Sequence, residues 1–362
     1  MAETTTPTGL AVQQWDERFF EEYVRASRYA RYMGTDENAI VQLKENLTKK
    51  QGDRVTFALV HELAGAGVTG NTTLQGNEEA LDTRSHAITV DVVRHAVVVT
   101  TLEEQKSAIA LRDAARARLR SWAMKKLRDS ITTALGSIDG VAYASATAGQ
   151  KNAWHTNNTD RVLYGSAVAN FVAANHASSL ANVDSVNDTL KPGVISLAKR
   201  LAQAATPKIR PITVDGDEEW FVLFCHPRAF RDLKNDTTMM QANRDALARG
   251  ADNPLFTGGD LIWDGVIIKE VHEIPVIAGA GAGTPAIDVA PGYLCGAQAV
   301  GLAWAQRTRT ATQETDYEFR HGVAVQEIRG LEKLRFGTGA GDTTTPKDNG
   351  VFTLFTAGVA DA

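Results

Sequence analysis

Gly65-x-Gly67-x-x-Gly70 spells the glycine turn that cradles a dinucleotide pyrophosphate, and Asp91 lies about twenty residues on, where an acid would meet the ribose. That chemistry needs a strand before the turn and a helix opening at its last glycine, because the helix N-terminus supplies the partial charge that holds the phosphates. The context fails here. Asn71-Thr-Thr-Leu-Gln-Gly76 has no helical periodicity, and Asp91 sits inside a β-branched run rather than at its end. The glycines read instead as a flexible hairpin tongue. Glu78, Glu79 and Asp82 on the same stretch have the types for acid/base work, but no nucleophile or oxyanion donor accompanies them. A solvated or intersubunit polar patch fits them better. The eight histidines show no His-x-x-x-His or His-Glu-x-x-His spacing. His61, His86 and His95 could meet at the base of the tongue, although ordinary strand histidines explain them more simply. Gly279-Ala-Gly-Ala-Gly-Thr-Pro has neither the Lys-Ser/Thr of a phosphate loop nor a helix after it, and no Gly-x-Ser-x-Gly elbow occurs. Cys225 and Cys295 stand in no paired motif and read as two buried thiols. The residues thus support no catalytic site, no cofactor and no metal.

The elements that hold this tongue span Arg54 to Leu135. Arg54 to Leu63 alternates apolar residues at Val55, Phe57, Leu59 and Leu63, which predicts a half-buried strand. The tongue follows, and its four glycines among small polar residues cannot build a core of their own. Ile88 to Val99 returns as a β-branched strand. Thr101-Leu-Glu-Glu104 reads as a capping box that opens one helix running to Gly136, about 35 residues or roughly 50 Å long. Leu111, Ala115, Leu119, Ala123, Leu127, Ile131 and Leu135 step by four along it, beside Trp122, so this stripe should lie against a sheet. Arg112, Arg116, Arg118, Arg120, Lys125, Lys126 and Arg128 make the same helix basic. Asp113 and Asp129 are partial partners, and the alternative to a solvated face is an inner face facing phosphate.

Further elements follow from local pattern. Residues 1 to 10 read as a disordered arm, Trp15 to Tyr32 and Asp36 to Leu47 as helices, and Ser137 to Asp160 as a long loop. Ala167 to Leu180 and Pro192 to Ala205 are predicted helices, the second with proline at its first position. Ile209 to Thr213 and Glu219 to Phe224 flank Asp215-Gly216, and Leu261 to Lys269 is broken by Asp264-Gly265; both predict hairpins. His226-Pro227 and Thr238 to Arg249 predict helices, Ala278 to Pro291 a loop, and Tyr293 to Trp304 and Gly322 to Leu334 strands. Gly337 to Asn349 reads as a linker before the apolar tail Val351 to Phe355. Helices and strands come in mixed order, without regular βαβ alternation, which is an α+β pattern.

The chain has 362 residues, 43% apolar and 22% charged, with a formal net charge of -5. Its size allows a large core in one or two domains, and its acidity disfavours a dedicated nucleic-acid binder. The first residues carry no basic or apolar leader pattern, and no run of 18 apolar residues occurs, so the expectation is a protein made in the cytosol and not in a membrane.

Taken together, the order of motifs is more specific than any one of them. Gly52-Asp53-Arg-Val-Thr-Phe, Gly65-Ala-Gly-Val-Thr-Gly70, Leu74-Gln-Gly-Asn-Glu-Glu-Ala-Leu81, Arg94-His95-Ala96-Val97 and Glu104-Gln-Lys-Ser-Ala come first. Lys208-Ile-Arg-Pro-Ile, Gly216-Asp-Glu-Glu-Trp-Phe-Val-Leu, His226-Pro227, Asp264-Gly265-Val-Ile-Ile and Gly322-Val-Ala-Val follow. From about Gln14 to Phe336 the chain resembles the major capsid proteins of tailed double-stranded-DNA phages, in particular the phage N4-type family.

That resemblance implies the Hong Kong ninety-seven type capsid fold. Residues 1–53 would be an N-terminal arm, 54–101 the extended hairpin loop with its strands, and 102–139 the spine helix of a peripheral domain. Residues 140–290 would form an axial domain and 291–336 strands returning to the peripheral domain. The tail after Gly337 lies outside the resemblance; residues 337–362 are expected to be a C-terminal extension that docks Phe352 and Phe355 on a neighbour or serves as a platform for a decoration protein. Gly65, Gly67, Gly70, Leu74, Gly76, Glu78 and Glu79 would then be intersubunit contacts, and Arg112, Arg116 and Arg120 a lumenal basic face. The implied partners are further copies of the chain as pentamers and hexamers, a scaffolding protein, a portal, a decoration protein and packaged DNA, in a virion capsid assembled in the host cytoplasm. Some relatives crosslink a loop lysine to a neighbour's asparagine; residues 51–105 contain no lysine, which predicts no such crosslink here. Two other readings compete: a nanocompartment shell on the same fold, and a dinucleotide-dependent oxidoreductase at Gly65-x-Gly67-x-x-Gly70.

Overall fold

The computed structural model describes residues 29–48, 52–60, 63, 65–81, 83–107, 111–214, 218–245, 261–337 and 344–361. The predicted arm and most of the predicted helix from Trp15 lie outside them; Ala30–Tyr32 is a single 3-10 turn. β1 (Met33–Gly34) and β2 (Val41–Lys44) pair in parallel. No α-helix forms over Asp36 to Leu47; a 3-10 turn at Asn46–Thr48 closes the stretch. β2 lies parallel to β12 (Val300–Thr315), with Val41 opposite Val300 and Leu43 opposite Leu302, and this pairing overrides the three-and-four spacing of Ile40, Leu43 and Leu47.

β3 (Arg54–Val60) and β4 (Thr83–Thr89) make a two-stranded sheet that carries the tongue. Val55 and Phe57 are buried on β3, as the alternation predicts. The predicted strand from Ile88 to Val99 is two strands. The chain breaks at Val90, whose N–H donates to the Asp53 carbonyl at 2.9 Å, and β5 (Asp91–Thr100) joins another sheet.

The long helix is also divided. α1 (Thr101–Lys106) is capped one residue earlier than predicted, with the Thr100 hydroxyl accepting from the Glu103 N–H. Ser107 has extended backbone and closes α1 through its N–H, and α2 (Leu111–Leu135) follows. Serine competes for nearby backbone groups and so tolerates such a break. Arg112 reaches back to Glu104 at 2.7 Å, tying the two helices. The 25 residues of α2 span about 37 Å. Ala115, Leu119, Ala123, Leu127, Ile131 and Leu135 are all buried, which is the predicted stripe.

The predicted loop after Gly136 contains α3 (Ala148–Asn157), opened by a capping box between Thr147 and Gln150. β6 (Val162–Tyr164) follows. The predicted helix over Ala167 to Leu180 is a 3-10 turn at Val168–Asn170 and then α4 (His176–Ala181), because Asn175 leaves the helical conformation and caps Ser178 at 3.0 Å. α5 (Pro192–Ala204) keeps its proline at the start. β7 (Ile212–Val214) and β8 (Glu218–Cys225) form the first predicted hairpin. α6 (Pro227–Asn235), capped by His226, and α7 (Thr237–Asp245) come next. β9 (Leu261–Trp263) and β10 (Val266–Glu270) form the second hairpin, and Asp264 and Gly265 both take the positive φ that a two-residue turn requires. The predicted strand over Tyr293 to Trp304 splits into β11 (Val289–Cys295) and β12. Gly296 lies between them, packed so closely that a Cβ there would sit 2.2 Å from the Arg210 carbonyl oxygen. β13 (Arg320–Lys333), β14 (Arg335–Phe336), β15 (Lys347–Asp348) and β16 (Val351–Ala357) complete the order.

The chain divides into two compact units. Met1–Val55, Ile88–Leu135 and Val300–Glu332 form one; Thr56–Ala87, Gly136–Ala299 and Lys333–Ala362 form the other. The first holds a five-stranded sheet, β1-β2-β12-β13-β5, with α2 on one face. Val323, Val325, Glu327 and Arg329 alternate toward that helix, and Arg329 donates to the Ser130 hydroxyl of α2 at 3.1 Å.

The second unit holds a seven-stranded sheet, β6-β16-β11-β8-β10-β9, with β7 on β8. It is buried on both faces. Phe352 and Leu354 belong to a core with α5, α6 and β8, while Phe355 and Ala357 belong to another with Trp154, Tyr164 and Leu180. The tail from Val351 is therefore no docking extension. It is an inner strand, parallel to β6 and antiparallel to β11, and all seven of its residues are buried within this chain. The stretch before it is tied down as well: Lys333 and the Trp154 indole donate to the buried Asp348 carboxylate at 2.6 and 3.0 Å.

Candidate assembly surfaces

The tongue shows all seven residues singled out on it, and each is exposed. Its order is local. The Glu79 carboxylate accepts from the Gly65 N–H and the Glu78 carboxylate from the Gly76 N–H, both at 2.7 Å. Gly67, Gly70 and Gly76 have φ of 67, 68 and 90°, a region that side chains resist, so these turns depend on glycine. Leu63, Leu74 and Leu81 are about 60% exposed. Residues 71–81 are turns and extended chain, and Asp91 bonds its own neighbour, the Val92 N–H, at 2.7 Å. Neither half of a dinucleotide site is assembled around Gly65, Gly67 and Gly70.

The histidines of the tongue region have separate roles. His61 lies outside the described residues. His86 packs edge-on to Phe336, and His95 packs on Trp122 with ring centroids 4.8 Å apart. Among the described residues no group of three His, Cys, Asp or Glu could hold a metal ion. Cys225 and Cys295 are buried as expected, and burial pushes both thiols well above the usual range.

The basic helix is partly neutralised. Arg112 pairs with Glu104 at 2.7 Å, Arg116 with Asp113 at 3.1 Å and Arg128 with Asp129 at 3.3 Å. Arg120 is half-buried, while Arg118, Lys125 and Lys126 are exposed. Much of the predicted charge is thus held in surface pairs of small individual energy.

One polar constellation had no spacing signal in the sequence, because three elements and a turn contribute to it. His155 on α3, Tyr164 on β6, His176 on α4 and Tyr143 form a chain of hydrogen bonds of 2.7, 2.7 and 2.8 Å. The Val172 carbonyl, 2.8 Å from His155 Nε2, can only accept, so that nitrogen carries the proton. Neutral His155 then accepts from the Tyr164 hydroxyl, whose oxygen accepts from His176 Nδ1–H, and His176 Nε2 accepts from the Tyr143 hydroxyl. Phe171 stacks on His155 and Phe355 on Tyr164. A neighbouring charge is Lys151, whose Nζ lies 4.2 Å from the Tyr143 ring centre. Burial, then His155 and Lys151, push His176 down to about 3. Burial likewise lowers His155. The chain stitches α3, α4 and β6 together, and nothing in it is arranged as a nucleophile with an oxyanion donor.

A second candidate assembly surface lies on β5. β5 places Val92 and Val98 on the side away from α2, 52% and 61% exposed, although Val93, Val97 and Val99 already serve the covered side. A strand apolar on both sides implies cover on both sides.

Two well-built units, a tongue whose residues 69–81 are all exposed, and a sheet face left uncovered among the described residues suit a subunit made for assembly, and the comparisons place that class among viral shells. A family model described as phage capsid protein matches residues 3–360. The chain is 30% identical over 373 aligned residues to the major capsid protein of Pseudomonas phage KPP25, covering 95% of this chain and 94% of that one. Its structure resembles the capsid of cyanophage Pam1 over the full length of both chains, with a TM-score of 0.83 and 36% identity. It also resembles the capsid of Ralstonia phage GP4 over 91% of this chain and 90% of that one, with a TM-score of 0.72 and 26% identity. The chain belongs to the phage capsid protein family and is a shell-forming subunit of the virion capsid.

Proposed function

We propose that this chain is a major capsid protein of the Hong Kong ninety-seven type, close to the N4-type family, and that it assembles in the host cytoplasm as pentamers and hexamers of an icosahedral shell around double-stranded DNA. The observation that carries this reading is the tongue. Residues 65–81 are held by their own short hydrogen bonds yet expose Leu74 and Leu81, with Leu63 exposed just before them, so this apolar surface gains burial on another molecule. Gly65, Gly67, Gly70, Leu74, Gly76, Glu78 and Glu79 are the intersubunit contacts in this reading. The five-stranded unit serves as the peripheral domain and the seven-stranded unit as the axial one. Arg112, Arg116 and Arg120, with the exposed Arg118, Lys125 and Lys126, limit repulsion from packaged phosphate through non-specific contact. A scaffolding protein, a portal and a decoration protein are the further partners. The role is structural, not catalytic.

Expression of the chain alone, and with neighbouring phage genes, followed by size-exclusion chromatography and negative-stain electron microscopy, tests this. Closed shells, tubes or capsomer rings are expected. A compact monomer under both conditions that binds a dinucleotide tightly would overturn the reading in favour of the oxidoreductase. Shells purified from their native host with a cargo enzyme and no DNA would favour the nanocompartment.

A further inference from the structure

Lys333 and Asp348 form a buried ion pair in the seven-stranded unit. Lys333 Nζ lies 2.6 Å from Asp348 Oδ2, and the two side chains are 2% and 3% exposed. The backbone on both sides is fixed. Lys333 closes β13, the Leu334 N–H donates to the Ala299 carbonyl at 3.0 Å, and the Asn349 N–H donates to the Leu334 carbonyl at 2.9 Å. Arg335 of β14 lies opposite Asp348 of β15, and the Asp348 N–H donates to the Asn158 side chain at 2.9 Å. An amine and a carboxyl group are thus held in contact before any reaction, which removes the entropic cost of bringing them together.

The surroundings suit more than an ion pair. Charges stripped of water carry a desolvation cost, and passing one proton from the ammonium to the carboxylate removes both charges and leaves an amine facing a carboxylic acid. The Trp154 indole N–H donates to the same Oδ2 at 3.0 Å, where negative charge gathers when an amine adds to the carboxyl carbon. Asp139 is the third group. Burial holds its carboxyl above the usual range against the pull of Arg335, and the charges of Asp348 and Lys333 both act on it. A carboxyl that keeps its proton more readily than usual can hand one on and take one back.

We propose that Lys333 and Asp348 join as an isopeptide bond within one chain, with the Trp154 indole steadying the carboxyl oxygen and Asp139 relaying protons. The Nζ–Cγ bond forms and one Cγ–O bond breaks. Two of the three ammonium protons leave with that oxygen as water, so no oxidant, reductant or cofactor takes part. The low exposure of the pair keeps bulk water away and slows the reverse hydrolysis. This goes beyond the shell reading and does not depend on it. No neighbouring subunit is involved, and the bond fastens the end of β13 to the strand that leads into β16.

Mass spectrometry of the full-length folded chain tests this without any substitution. The expected chain is lighter than its sequence by one water. After trypsin, residues 330–335 should appear joined to residues 348–362 as one branched peptide, because a linked Lys333 resists cleavage. A folded chain at full sequence mass, with peptides ending at Lys333, overturns the proposal. So does loss of one water without the branched peptide, which marks a cyclic imide at Asp348-Asn349. Lys333→Met should show its own full sequence mass, and a water-light Lys333→Met would count against the bond. Asp139→Asn keeps an acceptor for Arg335 and tolerates the φ of 49° at that position. In chain freshly translated in vitro it should slow the growth of the linked fraction roughly a hundredfold, with Asp139→Glu restoring part of the rate. A wild-type rate from Asp139→Asn would overturn the relay assignment.

Discussion

His155 and His176 are buried as neutral rings, and this fixes how acid acts on the seven-stranded unit. An unfolded histidine titrates near about 6.5. Folding depresses both groups, His176 to about 3. Above about pH 6.5 neither state takes up a proton, and the full stability is present. Below it the unfolded chain gains protons that the native chain refuses. Stability therefore falls from about pH 6.5 downward and levels off only below the folded values, with a slope of up to about 1.4 kcal/mol per pH unit for each histidine. Urea unfolding of the dissociated chain between about pH 6.5 and pH 5, above the range of ordinary carboxylates, measures that slope. His176→Gln should flatten it by about one proton; an unchanged slope would sink this assignment. The other unit has its own buried ionic pair. Arg329 and Glu327 lie 2.6 Å apart at 3% and 2% exposure, with Thr308 donating to Glu327 at 2.9 Å. Removing one partner leaves the other charge buried, so Glu327→Ala or Arg329→Ala should cost about 3–5 kcal/mol by denaturant unfolding. Replacing both by methionine should recover most of that, because the desolvation cost of the pair disappears with it.

At the scale of elements, β16 is the decisive strand. Burying two phenylalanines on opposite faces joins the two cores of its sheet, and losing either costs about 3–5 kcal/mol, a large part of a typical 5–15 kcal/mol stability. Phe352→Ala should therefore remain folded with a much lower urea midpoint. Deleting residues 351–361 should give an insoluble chain, because β6 and β11 would both lose a partner from the sheet interior. A soluble, assembly-competent deletion would show that the strand is dispensable. This strand also shows where sequence reading stops. Val-Phe-Thr-Leu-Phe-Thr-Ala is a short continuous apolar run, the pattern of a strand buried on both faces, but the glycine-rich stretch before it suggests a detached tail. The stripe on α2, both tight hairpins, the proline-led helices and the glycine tongue were legible because each is written within a few residues. Residues 41–44 were not, since a parallel partner some 260 residues away decides their strand state. The α1–α2 break had no proline or glycine to mark it. Of the candidate sites, the tongue could be read from composition, whereas the His–Tyr chain and the open sheet face depend on which strands become neighbours.

For the whole molecule, folding and assembly use different residues, and this separation can be measured. The cores of both units are built from residues such as Leu119, Phe221, Trp304 and Phe352, each essentially inaccessible. The tongue contributes no residue to either buried core: residues 69–81 are all exposed, and the Gly65 and Gly76 N–H groups and the Asn77 amide bond to acceptors within the tongue. Surface groups of this kind change stability by no more than about 0.5 kcal/mol when altered. Replacing residues 65–81 by a short Gly-Ser turn should thus leave the urea midpoint and the circular-dichroism spectrum nearly unchanged, while sucrose-gradient sedimentation loses the shell fraction. Leu119→Ala should do the reverse in kind, costing about 2–5 kcal/mol of folding stability while leaving the tongue chemically intact. The two variants together separate a failure to fold from a failure to associate. If the shortened chain sediments as shells of normal size, the tongue is not an assembly element, and the exposed leucines at positions 63, 74 and 81 would need another partner to bury them.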